Sequence, residues 1–297
     1  MALKITRSTD PIKVERLNLC LYGPPGIGKT SLAFTAERPL LLDFDQGAHR
    51  AANRKDAVRV TSWSDVADMS AADLEPYATV IVDTAGRALD QLTADIIRRN
   101  PKAGRGGALT LQGYGTLKAE FVAWLKALNT FGKDVILIAH MDEQRNGDEI
   151  IERLDVQGGS KGEIYKAADA MGRLLIREGK RVLNFSPTDA AFGKNPGQLE
   201  PLEVVHPDRD PEFLAKVVQS IKDRLNALTA DQAEAQKVLE GWRTRIAGMG
   251  SAEDFNGALA EVKTAPKAAQ AMFADAAKVN GLVWDKAAGK YAEAVAA

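Results

Sequence analysis

The segment Gly23-Pro24-Pro25-Gly26-Ile27-Gly28-Lys29-Thr30 constrains this chain more than any other stretch. An apolar run, Leu17 to Tyr22, precedes it and reads as a buried strand; a helix is expected from about Lys29 to Ala36. Gly-x-x-x-x-Gly-Lys-Thr between a strand and a helix is the pattern of a phosphate-binding loop. Its glycines let the backbone wrap inward, so that N–H groups face phosphate oxygens. The pattern implies that Gly23, Pro24, Pro25, Gly26, Ile27, Gly28, Lys29, Thr30 and Ser31 hold nucleotide phosphates. Lys29 is expected on the β- and γ-phosphates and Thr30 on Mg²⁺.

Further apolar runs alternate with helical segments. Leu40 to Asp45, Val58 to Trp63, Thr79 to Asp83 and Val135 to Ala139 read as strands. Ala88 to Arg99 and Thr116 to Phe131 read as helices, the second burying Phe121, Trp124, Leu125 and Leu128 at helical spacing. Leu174 to Arg177 and Arg181 to Phe185 read as a hairpin around a Gly-containing turn, with Pro201 to Val205 as one more strand. This order predicts an α/β fold: a mostly parallel sheet flanked by helices, then a β-hairpin. Composition shifts near Asp208 to Pro211, and the rest reads as helical. Asp210 is expected to cap a helix with Pro211 at its first position. Thr229–Gln232 and Ser251–Asp254 resemble capping boxes, and Asn280-Gly281 a helix stop. The expected division is an ATPase core over 1–209 and a helical region over 210–297.

Three acids and a histidine sit where such a loop needs them. Asp83 ends a buried strand downstream of the loop, the place for a carboxylate holding the Mg²⁺ shell; helix capping is its other reading. Asp83-Thr84-Ala85-Gly86 matches the D-x-x-G string of GTPases. The strand Val135–Ala139 is followed by His140-Met141-Asp142, however, with no guanine-reading Asn-Lys, so adenine is favoured. Asp43 and Asp45 end a strand expected beside the loop strand, and alternation suggests one shared face. One of them is expected to position the attacking water, the other to cap the turn at Gln46-Gly47; spacing does not choose between them. His140 is a candidate sensor of the γ-phosphate.

Bulk charge excludes little, since 39 basic and 40 acidic residues give a net charge of −1, so a nucleic-acid surface has to be local. From Ile96 to Ala119 there is no acid, while Arg98, Arg99, Lys102, Arg105 and Lys118 occur with several glycines and Tyr114. A mobile basic loop over about Asn100 to Gly115 suits contact with a phosphate backbone and stacking of a base. The polar stretch Met141 to Gly162 is a second candidate, with Arg145, Arg153 and Lys161 and a hinge at Gly158-Gly159-Ser160. The one cysteine, Cys20, reads as a core residue, and no Cys/His set has zinc spacing. No run is long and apolar enough to span a membrane, and Met1 to Arg16 lacks the apolar centre of a signal peptide. A cytoplasmic setting fits, the host cytoplasm if the chain is viral.

The segments GPPGIGKTSLAF, LLLDFDQGAHR, TVIVDTAGRALDQL, LQGYGTLKAEF and VILIAHMDEQ, in this order over about residues 15 to 205, resemble the RecA/RadA recombinase core. More narrowly they resemble the phage-type RecA-like single-strand annealing proteins, the "Sak four" group. The resemblance implies Mg-ATP bound by Gly23–Thr30 with Asp83, and Asp45 where recombinases keep a catalytic glutamate. It places His140 at a γ-phosphate sensor and the two polar stretches at the DNA-binding loops. Lys194 in Gly193-Lys194-Asn195 resembles a segment that reaches a neighbouring subunit's ATP. An ATP-dependent single-stranded-DNA annealing or recombination protein is the implied function, as a ring or filament of identical subunits and with a single-strand-binding protein as a further partner. A helicase-like or loader ATPase, and a nucleotide switch or small-molecule kinase, stay open as alternatives. Trp242 and Trp284 are candidate partner anchors, with core packing as their other reading.

Overall fold

The computed structural model describes residues 3, 5–146, 149–156 and 160–293. The chain divides into two compact units, Val14–Leu225 and Met1–Lys13 with Asn226–Ala297.

In the first unit the elements run β1 (Asn18–Gly23), α1 (Lys29–Ala33), β2 (Pro39–Asp43), β3 (Ala57–Arg59), α2 (Ser64–Ala67), β4 (Thr79–Asp83), α3 (Ala85–Arg99), β5 (Gly104–Arg105), β6 (Ala108–Leu109) and α4 (Leu111–Thr130). They continue with β7 (Asp134–Asn146), β8 (Glu149–Leu154), α5 (Ser160–Ala167), β9 (Ala170–Arg177), β10 (Lys180–Asn184), β11 (Leu202–Glu203) and α6 (Phe213–Ala247). Among the described residues one sheet has the order β11-β10-β9-β1-β7-β4-β2-β3, parallel from β9 to β3, with β10 and β11 antiparallel. The expected α/β architecture with its terminal hairpin is therefore present.

Strand alternation explains why the central strands are apolar throughout. Cys20, Tyr22, Leu42, Val80, Val82, Leu137 and Ala139 face a cluster built with α3 and α4. Leu19, Leu21, Leu41, Ile81, Ile136 and Ile138 face another, built with Leu32 of α1, Phe34 just after it, and Leu214, Val217, Val218 and Ile221 of α6. Each strand is buried on both faces, as parallel sheets require. Residues 214–221 pack on the sheet through the buried stripe of α6, within the compact unit that ends at Leu225. Cys20 is buried, and desolvation pushes its thiol up to about 12.

The second strand is not the neighbour of the phosphate-loop strand. β7 and β4 lie between β1 and β2, because β1 pairs with β7 and β9. Two loops also differ from expectation. The basic stretch is mostly ordered: a short 3-10 turn, the β5–β6 hairpin, and then α4, which starts at Leu111 with Thr110 accepting from Gly113 N. Gly113 signals packing, not looseness, since a Cβ there would lie 2.5 Å from Ala103 O. Much of the described polar stretch after His140 is not loop either. β7 continues past the sheet, and its Met141–Asn146 pair antiparallel with Glu149–Leu154 of β8 as a ribbon.

In the second unit α6 ends and α7 (Ala252–Val262), α8 (Lys267–Val279) and the hairpin β12 (Leu282–Asp285) with β13 (Lys290–Glu293) follow. Ile246, Phe255, Val262, Phe273 and Leu282 form its core, with Trp242 packed against them and Trp284 edge-on to Tyr291. Ser251 and Asp254 form the expected capping box, and Gly281 turns the chain after α8 at φ 73°. Thr229 caps nothing: it lies inside α6, where its hydroxyl donates to Asn226 O and Ile12 O.

Candidate nucleotide site

The parallel register brings the critical residues to one edge of the sheet. Gly23 is level with His140, Asp83 with Ile138, and Asp43 with Asp83, so the C-terminal ends of four strands meet there. In open α/β sheets this is the edge at which ligands bind. The loop leaves β1 and enters α1 through Gly28, whose φ of 95° favours a residue without Cβ.

Lys29 folds back over the loop. Its Nζ donates to Gly23 O at 2.9 Å and Pro24 O at 2.8 Å, and lies 3.4 Å from His140 Nδ1. Burial pulls its pKa down to about 8, with Asp83 and Asp45 opposing. Thr30 Oγ1 donates to Asp83 Oδ2 at 2.6 Å. Burial pushes the Asp83 carboxyl up to about 6; the Thr30 hydrogen bond opposes this, while Asp45 and Asp43 add to it. His140 is held below its ordinary value by burial and then by the Lys29 charge. Lysine can only donate, so Nδ1 accepts and the neutral ring carries its proton on Nε2.

Asp43 and Asp45, which spacing left unresolved, part company. Asp43 is buried and accepts from Gly47 N at 2.9 Å and Ala48 N at 3.0 Å, capping the turn. Asp45 lies beyond the strand, and its N–H donates to Asp83 O at 3.0 Å, as does that of Phe44 at 2.8 Å. Its carboxylate lines the loop cavity, 3.2 Å from Arg50 Nη2 and 3.7 Å from Arg87 Nε. The expected shared face fails because the chain turns at Phe44.

The cavity, about 400 Å³, is walled by Gly28, Lys29, Thr30, Asp45, Asp83 and His140. Thr30 and Asp83 supply hard oxygen donors at hydrogen-bond distance. That fits Mg²⁺, which takes one or two protein oxygens and leaves the rest to water and phosphate. Among the described residues no group of three His, Cys, Asp or Glu side chains forms a separate metal site.

A family model described as "AAA domain" matches residues 15–196, more than half of the chain. The chain belongs to the AAA domain family. No curated protein matches it. One solved structure, described as the crystal structure of the RadB recombinase, is 16% identical, with a TM-score of 0.32 over 56% of this chain and 79% of that one. The AAA match spans the phosphate loop, Asp45, Asp83, His140 and the ribbon, so the cavity is that of an ATP-binding P-loop domain.

The residues expected at DNA are spread around this AAA domain. Arg98 and Arg99 end α3 and pair with Asp95, Arg99 also with Glu120, each at 2.6 Å. Lys118 pairs with Glu163 at 2.9 Å. Lys102 and Arg105 are exposed and, among the described residues, have no carboxylate partner; Tyr114 is 38% exposed on α4. Arg153 lies on β8 with its guanidinium 4.5 Å from the Phe192 ring centre. The side chains of Arg145 and Lys161, and Gly158-Gly159, fall outside the described residues. Lys194 is not at the cavity. Its ammonium donates to Ala168 O at 2.6 Å and to Tyr165 O, closing the C-terminal end of α5 within its own chain. Sequence reasoning missed Arg50, Arg87 and Arg181. Only the turn after Asp45, the start of α3 and the sheet order bring them to the loop.

Proposed function

We propose that the chain is an ATP-driven single-stranded-DNA-binding ATPase of annealing or recombination. The observation that carries this reading is the position of His140. It touches the phosphate-loop lysine and is also the residue at which β7 leaves the parallel sheet and becomes the β7–β8 ribbon. The ribbon's return end is tied to the same residue, with Asp155 N donating to His140 O at 2.9 Å.

The loop N–H groups and Lys29 bind the phosphates of ATP, and Thr30 with Asp83 hold Mg²⁺, which supplies neutralising charge when bound. Asp45 orients and deprotonates the attacking water, with Arg50 and Arg87 fixing its carboxylate. The His140 Nε2–H donates to the γ-phosphate, so loss of that group moves the base of the ribbon. Lys102 and Arg105 contact the DNA backbone, Tyr114 offers a stacking face, and the surface-paired Arg98 and Arg99 exchange carboxylate for phosphate. Identical subunits assemble around the strand, and a single-strand-binding protein is a further partner.

A protein- or duplex-directed loader is the second reading. It is favoured by the described side chains of the ribbon and its exit, where Asp142, Glu143, Glu152 and Asp155 outnumber Arg153. Oligonucleotide affinity measured across salt concentrations, with and without ATP, decides between them. The proposal expects salt-sensitive binding that ATP strengthens and that Lys29→Ala uncouples from ATP. Absence of salt-sensitive binding in every nucleotide state contradicts it.

A further inference from the structure

Arg181 lies against the phosphate loop at Gly28 although it belongs to the distant hairpin. β9 runs parallel to β1, so its C-terminal end reaches the edge where the loop lies, and β10 starts back from there. Alternation puts Arg181 on the same face as Leu183, which is buried in the cluster containing Leu32, Ala33 and Phe34. The guanidinium thus lies on the face that carries α1. A Cβ on Gly28 would meet Arg181 Nη1 at 2.7 Å and Cζ at 3.9 Å. The arginine therefore rests against the backbone of the loop at its tightest turn.

Its charge is uncommitted. Lys29 shares the cavity with Asp83 and Asp45, and Arg50 and Arg87 are paired with Asp45. Among the described residues Arg181 has no carboxylate within 4.0 Å and no side-chain hydrogen bond. An unpaired guanidinium held half-buried against a phosphate-binding backbone matches one class of ligand, the oxygens of a phosphate chain, which it meets with its planar fork of donors.

We infer that Arg181 binds the phosphate chain of the nucleotide held by its own loop, an inference that rests on the ATP reading above. The contact ties the β9–β10 hairpin to the nucleotide on the side of the loop away from His140. Glycine at position 28 then has a second purpose: any side chain there would displace the guanidinium.

Titration of Mg-ATP and of Mg-tripolyphosphate into the native chain, Arg181→Ala, Arg181→Lys and Lys29→Ala tests it. Arg181→Ala is expected to weaken both ligands by about tenfold or more, the size of a lost charge-assisted contact. Arg181→Lys should recover part of that loss, with the melting temperature of the nucleotide-free protein unchanged. Unaltered affinity of Arg181→Ala, beside a native chain that binds, overturns the inference alone. So does a loss confined to ATP, which would put Arg181 on the nucleoside. A mixture of Arg181→Ala and Lys29→Ala chains that regains native affinity would place Arg181 on a neighbour's nucleotide and overturn the same-chain contact. A native chain that binds neither ligand overturns the nucleotide reading itself.

Discussion

The loop cavity and the basic stretch after α3 both gather charge, and they treat it in opposite ways. In the cavity, Lys29 and Asp83 are buried, 5% and 7% exposed, and burial drives both away from their charged forms. On the basic stretch, Arg98, Arg99 and Lys118 are exposed and already neutralised by Asp95, Glu120 and Glu163. Desolvated and imperfectly compensated charge is costly to keep, and it is retained where a ligand repays the cost. Paired surface charge is cheap and says little about function.

The first way to break this comparison is Lys29→Ala. The variant is expected to lose ATP hydrolysis by about 10²-fold or more, since an electrostatic contact to transferring phosphate is removed. A turnover assay that finds near-native hydrolysis contradicts the placement of the site. Next come the two aspartates that the sequence could not separate. Asp45→Asn is expected to lower kcat by about 10²-fold with an unchanged melting temperature. Asp43→Ala is expected instead to destabilise the fold by about 1–3 kcal/mol, because a buried and a half-buried backbone donor lose their acceptor. Denaturation and kinetics on the same pair of variants separate these outcomes.

The same contrast predicts a pH effect. The pKa of Lys29 in the fold, about 8, lies below its ordinary 10.5. Between these values the unfolded chain holds more protons, so the nucleotide-free fold gains stability as pH rises. Relative to Lys29→Met, the native chain should gain about 2 kcal/mol from pH 8 to pH 10. A flat difference would mean that the ammonium is well solvated. The smallest effects belong to the basic stretch. Lys102→Ala with Arg105→Ala should reduce the salt slope of single-strand binding by about 1.4, or 0.7 per lost contact. Arg98→Ala with Arg99→Ala should change it less, since each cation must first leave a carboxylate. Equal slopes for the two pairs would remove the distinction drawn between paired and free cations.

What was legible in the sequence follows the same division. The loop, the strand ending at Asp83 and the alternation of strands with helices are local patterns, and each formed near where it was expected, whereas the strand expected to stop before His140 runs on to Asn146. The separation of Asp43 from Asp45 was hidden because it depends on the chain turning at Phe44 toward the Asp83 carbonyl. The sheet order was hidden because strand neighbours are chosen by long-range packing, which inserted β7 and β4 between β1 and β2. Gly113 looked like a loop residue and is a helix–backbone contact. The ribbon was missed because Asp142 to Asn146 are polar without a break, and no apolar alternation there signals a strand. Arg181 carries no signal in its own neighbourhood, since only the β9–β10 turn brings it to Gly28.

The central claim is that the nucleotide governs the ribbon through His140. ATP hydrolysis with and without single-stranded DNA, compared between the native chain and His140→Ala, tests it most directly. The account predicts DNA-stimulated hydrolysis in the native chain and, in the variant, residual hydrolysis that DNA no longer stimulates. Stimulation that persists undiminished in His140→Ala, or native hydrolysis indifferent to DNA, would contradict it.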